Sequence, residues 1–284
     1  MEKIVNIATY KFITLDGDLQ ETRSRFLKKC KDLSLLGTIL IAREGVNIIA
    51  AGTSDNINEF KQFLRDELHD EDLFFKESFS DYQPFLRLVV KVKAQVIPVD
   101  DLEIKPEEFT GPRVSPEEFK KWMDEDKDIV VLDTRNEFEV NIGTFKNAHD
   151  MKLEEFREYG KKIKDLPEEW KDKTIVTFCT GGIRCEKATP LMIKNGFKNV
   201  YQLDGGILNY FEKVGSDHYD GDCFVFDRRI ALNSKLEETD LIKCFNCQHP
   251  LSPKEQSLDT FRLGQYCPYC YSKTPKKKKI KSGQ

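Results

Sequence analysis

Apolar and polar residues alternate along "IVNIATYKF", close to the start of the chain, with the period of two expected of a half-buried strand. The next stretch, "DGDLQETRSRFLKKCKDL", changes to helical spacing, with acidic residues near its start and Gly37 beyond its end. "LGTILIAREGVNIIAAG" reads as two strands separated by "REG", a hairpin signal. A second helix is predicted over 54–68, with a serine N-cap and apolar positions at Ile57, Phe60, Phe63 and Leu64. "FLRLVVKVKAQVI" then reads as a further strand. The order β-α-β-β-α-β predicts a split, ferredoxin-like α+β domain over residues 1–95.

A linker rich in proline and acid follows at 96–114. From Ser115 the pattern becomes an alternation of helices and short apolar runs. "SPEEFKKWMDE" offers a serine N-cap followed by Pro116 at the first helical position. "DIVVLDTR", "KTIVTFC" and "NVYQLDGG" look like strands covered on both faces. Such an alternation predicts an α/β domain with a parallel sheet and flanking helices, over 115–232. Ligands in such sheets bind at the carboxyl ends of the strands, where Asp133 and Cys179 fall. The remainder divides into a cysteine-bearing segment, 233–273, and a basic tail, 274–284.

Composition narrows the class. The chain has 284 residues, 39% hydrophobic and 33% charged, as in globular proteins. No apolar run approaches the roughly 18 residues of a membrane span. The amino terminus lacks the pattern of a secretory signal, so a cytoplasmic protein without membrane contact is expected. Eight cysteines in that compartment favour metal binding or thiol chemistry over disulfides. The net charge of −4 is uneven: −1 over 1–95, −8 over 96–232 and +5 over 233–284. The lysine-rich tail suits nucleic-acid phosphates or plain solvation.

The stretch "FCTGGIRCEKA", Phe178 to Ala188, carries the chemistry. A reactive cysteine works as its thiolate and needs positive surroundings. Gly181 and Gly182 let the backbone turn and point successive amides inward, as an anion-binding nest. Arg184 adds a permanent charge, and a helix starting near it would add its dipole. Cys179 and Arg184 are therefore the candidate catalytic pair, and Thr180, Gly181, Gly182 and Ile183 the loop between them. Pro190 falls inside the helical pattern after the loop, so that helix is expected to bend or to begin late. Cys185 reads either as a resolving thiol for Cys179 or as a cysteine packed on the first helical turn. Asp133 and Arg135 read as a structural pair ordering the sheet end. His149 reads as a packed or surface residue rather than a catalyst.

Four residues separate Cys179 from Arg184. Cysteine phosphatases place five in that gap; the shorter loop resembles the rhodanese family. "LDTRNEFEVNIGTFKNAH" and "LDGGILNY" resemble other parts of the same domain. Taken whole, "CTGGIRCEKA" with "AREGVNIIAAG", "GDCFVFDRR" and two CxxC motifs resembles the oxygen-dependent tRNA uridine(34) hydroxylase family, over nearly the entire chain. That resemblance implies hydroxylation of the wobble uridine to 5-hydroxyuridine with molecular oxygen as co-substrate. It makes Cys179 the essential thiol, the tRNA anticodon region the partner, and requires an electron donor that the sequence does not identify. Arg43, Arg113, Arg228 and Arg229 are candidates for phosphate contact. No flavin or haem motif is visible, nor a His/carboxylate triad for iron. The alternative is a sulfurtransferase working through a Cys179 persulfide. A non-enzymatic scaffold would be natural if Cys179 or Arg184 were missing, and both are present.

Cys244 and Cys247 form one CxxC pair and Cys267 and Cys270 a second, after nineteen intervening residues. This spacing suits four thiolates around a structural zinc; two redox pairs or an iron–sulfur centre are the alternatives. Tyr266, Tyr269 and Tyr271 surround the second pair, either to stack on unpaired bases or to pack around the metal.

Overall fold

The computed structural model describes residues 3–101 and 103–273; the basic tail at 274–284 lies outside them. The alternation at the start becomes β1 (Ile4–Phe12), followed by α1 (Leu19–Asp32), β2 (Leu36–Ala42), β3 (Gly45–Gly52), α2 (Ser54–Leu68), β4 (Lys76–Ser80) and β5 (Leu88–Val92). The sheet order is β4-β1-β3-β2-β5. Val5, Ile7, Ile39, Ile41, Val46 and Ile48 point to one face, where Phe26 of α1 and Phe60 of α2 complete a core. Asp18 caps α1 through the Gln20 amide, and Thr53, one residue before the expected serine, caps α2.

The strand completing the split β-α-β-β-α-β unit is β4, not the one read from "FLRLVVKVKAQVI". That apolar run supplies β5 only, a fifth strand parallel to β2 at the opposite edge. Strand β4 escapes a hydrophobic reading because its buried positions are Lys76, Ser78 and Ser80. Register places Lys76 opposite Ala8 and Ser78 opposite Asn6, on the sheet face away from the helices. That face turns toward the second half of the chain.

The second half contains β6 (Arg113–Val114), α3 (Pro116–Asp124), β7 (Ile129–Asp133), α4 (Glu137–Val140), β8 (Gly143–Phe145), β9 (His149–Asp150), α5 (Tyr159–Lys162), β10 (Thr174–Phe178), α6 (Cys185–Lys194), β11 (Asn199–Leu203) and α7 (Gly206–Val214). Its main sheet runs β6-β11-β10-β7-β9, with every pair parallel. Apolar clusters cover both faces, one including Ile175, Leu191 and Met192, the other Phe119, Val176 and Tyr210. Sheet burial on both sides explains the unbroken apolar strands. Ser115 caps α3 with Pro116 in the first turn, as expected. Helix α6 starts directly at Cys185 and tolerates Pro190. The carbonyl that proline leaves without a helical donor, Glu186 O, accepts the Thr110 hydroxyl at 3.2 Å.

Short pairs follow: β12 (Tyr219–Gly221) on β8, then β13 (Cys223–Phe224) with β14 (Ala231–Leu232), and β15 (Ile242–Lys243) with β16 (Pro250–Leu251) beside the terminal cysteines. No helix among the described residues is long and apolar enough to cross a membrane.

Candidate active site

The parallel strand β10 ends at Phe178, so Cys179 begins the loop at the carboxyl end of the central sheet. Gly182 adopts φ +94° and closes the turn. Its N–H donates to Cys179 Sγ at 3.0 Å. The first turn of α7 holds the loop from the other side. Ile207 N donates to Cys179 O at 3.0 Å and Leu208 N to Thr180 O at 3.1 Å. Gly206 sits at φ +68°, and a methyl there would lie 2.4 Å from Cys179 O. The later Gly-Gly turn of "LDGGILNY" is thus a clamp on the cysteine loop.

Cys179 is buried, and burial opposes its ionisation. The hydrogen bond from Cys185, the charge of Arg184 and the backbone N–H groups of Arg184 and Gly181 outweigh burial, lowering the thiol to about 6. Cys185 moves the opposite way: burial and the neighbouring Cys179 push it well up. The pair therefore consists of one thiolate and one thiol donating to it.

Arg184 is itself buried and held by Glu139, with Nη2 2.8 Å from Oε2. Thr180 Oγ1 donates to the same carboxylate at 3.4 Å. Glu139 is fully buried on the four-residue helix α4, though "NEFEV" in sequence looks like a solvated acidic face. The signal that could have found it is its position three residues after Asn136, where its side chain accepts the Asn136 N–H at 3.1 Å. Asp133 and Arg135 lie next to the loop, fully buried, with Arg135 Nη2 2.7 Å from Asp133 Oδ2 and 2.6 Å from Gly143 O. His149 packs edge-on against Trp170.

A cavity of about 500 Å³ opens over the loop. Its floor includes Cys179, Gly181 and Arg184; its roof is the polar face of the first sheet, with Asn6, Tyr10 and Lys76. Helix α6 ties roof to floor. Tyr10 OH donates to Glu186 Oε1 at 2.8 Å, and that oxygen also accepts Arg113 Nη2 at 2.7 Å. Lys187, 1% exposed, reaches Glu44 and Gln95 at 2.9 and 2.7 Å and Ile97 O at 3.0 Å. Lys76, Tyr10 and Glu186 were not singled out from sequence, because the fold alone brings them to the loop. Of the arginines expected to meet phosphate, Arg229 does not form a surface patch: it is buried against Asp227 and Ser78. Arg113 is engaged by Glu186, and Arg43 donates to Leu15 O and Gly17 O.

At the other end of the chain, the sulfurs of Cys244, Cys247, Cys267 and Cys270 all lie within 4.8 Å of one another. Individual separations are 3.8 Å for Cys244–Cys270, 3.4 Å for Cys247–Cys267 and 3.8 Å for Cys267–Cys270. Thiolates about 2.3 Å from a tetrahedral ion have edges of roughly 3.8 Å, so the four sulfurs fit a metal ion. Tyr266 packs on Tyr271, and Tyr269 stacks on His249 and donates to Glu255, so these rings furnish the knuckles' surroundings.

Comparison with known proteins agrees with this layout. Residues 4–96 match the UPF0176 acylphosphatase like domain, and residues 115–213 match the Rhodanese-like domain. Proteins named tRNA uridine(34) hydroxylase from Cupriavidus pinatubonensis and Ralstonia nicotianae are each 45% identical over 94% of this chain and 96% of their own. The protein of that name from Paraburkholderia xenovorans is 44% identical over the same shares.

Proposed function

Because the chain belongs to the tRNA uridine(34) hydroxylase family, we propose that the Cys179 loop and the cavity above it are where it hydroxylates uridine 34 of tRNA. The observation that carries this assignment is a thiolate, held by loop amides and Arg184, on the floor of a cavity roofed by the first domain. A bare rhodanese loop would serve a sulfur acceptor; a roof with Asn6, Tyr10 and Lys76 suits a base turned out of a single-stranded anticodon. The co-substrate in this reading is molecular oxygen, the product 5-hydroxyuridine and the partner the anticodon region of tRNA. The division into 1–95, 96–114, 115–232, 233–273 and 274–284 belongs to the same reading.

Within the site, Arg184 and the amides of Gly181 and Gly182 stabilise the sulfur anion, Thr180 and Ile183 complete the loop, and Asp133 and Arg135 brace the sheet end beneath it. Cys185 is the resolving thiol. Hydroxylation of a C–H bond by dioxygen needs two further electrons: C–H, O₂ and two thiols yield C–OH, water and one disulfide. The Cys179–Cys185 pair holds those two electrons, and an external donor restores the thiols. The terminal four cysteines hold zinc, which with four thiolate ligands has no open position and folds a segment too short for a core of its own.

Nucleoside mass spectrometry of tRNA from cells lacking the protein tests the reading. Wild type should restore 5-hydroxyuridine derivatives and Cys179→Ala should not. Unchanged nucleosides in deletion cells grown in air, in a strain with no redundant pathway to make them, would put the sulfurtransferase reading, with a Cys179 persulfide, in its place.

A further inference from the structure

We propose that Cys179 adds to C6 of the uracil ring and that Lys76, on the opposite wall of the cavity, takes up the negative charge that this addition delivers to O4. The inference rests on the tRNA uridine reading above and deepens it.

Three cations line the cavity among the described residues: Lys76, Arg184 and Arg229. Arg184 is paired with Glu139 and already committed to the Cys179 sulfur, and Arg229 is paired with Asp227. Lys76 forms no ion pair among the described residues, although it is only 7% exposed. Its ammonium stands instead over two ring faces, 5.4 Å from the centroid of Tyr10 and 4.9 Å from that of Phe74. A buried ammonium without a carboxylate is costly and is found where a ligand completes it. The stem of Lys76 reaches the cysteine loop: a methyl added at Gly181 would meet its Cδ and Cε at 3.7 Å. Tyr10 cannot rotate away, since its hydroxyl is held by Glu186. Burial lowers Lys76 to about 8, against the opposing pull of Cys179, Asp204 and Glu186, so it is charged at neutral pH and able to give up a proton.

The chemistry of uracil matches this pair. C5 and C6 form a double bond conjugated with the C4 carbonyl. When the thiolate attacks C6, one S–C6 bond forms and the C5–C6 π bond breaks. Its electron pair passes through C5 to O4 as an enolate. Nothing is oxidised or reduced; the charge moves from sulfur to O4. A cation fixed at that oxygen stabilises the enolate more than the neutral carbonyl, which is the requirement for rate acceleration. The adduct leaves C5 electron-rich, and C5 is the atom to be hydroxylated. Nucleophilic catalysis of this kind gives the depressed thiol a role that sulfur transfer does not require of Lys76.

Hydrogen exchange at C5 isolates the step. Protonation of the enolate at C5, followed by loss of a proton and of the thiolate, exchanges the C5 hydrogen without oxygen. The purified full chain is incubated without air in D₂O with an anticodon stem-loop bearing U34, and deuterium at that uridine is read by mass spectrometry. Wild type should exchange it and Cys179→Ser should not. Lys76→Met should exchange about 100-fold more slowly, the scale of losing one oxyanion donor. Lys76→Arg should recover part of the rate; exchange is compared at saturating stem-loop, with binding of both variants followed by anisotropy and their fold by circular dichroism. Equal exchange by wild type and Lys76→Met would overturn the role of Lys76. Restoration of 5-hydroxyuridine in cells by a wild-type protein that shows no exchange would overturn the addition step and leave the hydroxylase reading intact. Unchanged 5-hydroxyuridine in deletion cells grown in air, in a strain with no redundant pathway to make it, would remove that reading and this inference with it.

Discussion

Arg184 is the side-chain charge that favours the Cys179 thiolate, and its removal has a counter-intuitive signature. Arg184→Met alone would strand the buried Glu139 carboxylate, at a cost of roughly 3–5 kcal/mol, so Glu139→Gln accompanies it. An opposite charge at close range lowers an acidic group by about 1–3 pH units, so the midpoint of Cys179 should move from about 6 to roughly 8. At pH 6 the thiolate fraction then falls from about a half to about a hundredth. A more basic thiolate is also intrinsically more nucleophilic, by about eightfold over that interval, with a Brønsted coefficient near 0.45. Alkylation by iodoacetamide should therefore be about sixfold slower than wild type at pH 6. At pH 9, where both forms are largely ionised, the variant should be several-fold faster, so the two rate profiles cross. The assay follows carboxamidomethylation of Cys179 by tandem mass spectrometry that separates it from Cys185. A folded double variant whose midpoint stays near 6 would refute the assignment and leave the loop amides and Cys185 as the cause.

Other expectations follow from single contacts. Gly206→Ala puts a methyl against Cys179 O and Gly182 N in a left-handed conformation; activity should fall at least tenfold while the domain stays folded, checked by nucleoside analysis and circular dichroism. Lys187→Met breaks a buried three-partner contact and leaves Glu44 unbalanced; thermal melting should show a loss of about 3–5 kcal/mol. Hydroxylation should rise with pH through about 6, because the depressed thiol is protonated below that value and ionised above it; a profile that rises only near 9 would contradict the depression. Purified protein should carry one zinc by elemental analysis, and Cys267→Ser should lose it and lower the melting temperature.

The parts of the fold that lie in local pattern were readable in the sequence. The strand leading into Cys179, the glycine loop with Arg184, and each CxxC pair are short local motifs, each dictated by geometry within a few residues. What escaped reading is carried by buried polar groups. Strand β4 hides because its inward face is Lys76, Ser78 and Ser80, the first two of which line a cavity rather than fill a core. Glu139 looks like a surface acid until its partner Arg184, 45 residues away, is seen beside it. Pro190 argues against a helix at Cys185 only while Thr110, which satisfies the released carbonyl, is out of sight. In each case the compensating group is distant in sequence, and hydrophobic periodicity carries no trace of it.

The most direct test of the central claim is growth of deletion cells under dioxygen labelled with heavy oxygen, complemented with wild type or Cys179→Ser, followed by mass spectrometry of the tRNA nucleosides. Wild type should place one heavy oxygen atom in 5-hydroxyuridine, and Cys179→Ser should yield none of that nucleoside. Labelled product from the serine variant, or unlabelled product from wild type, would contradict a thiolate-dependent hydroxylation by molecular oxygen at this site.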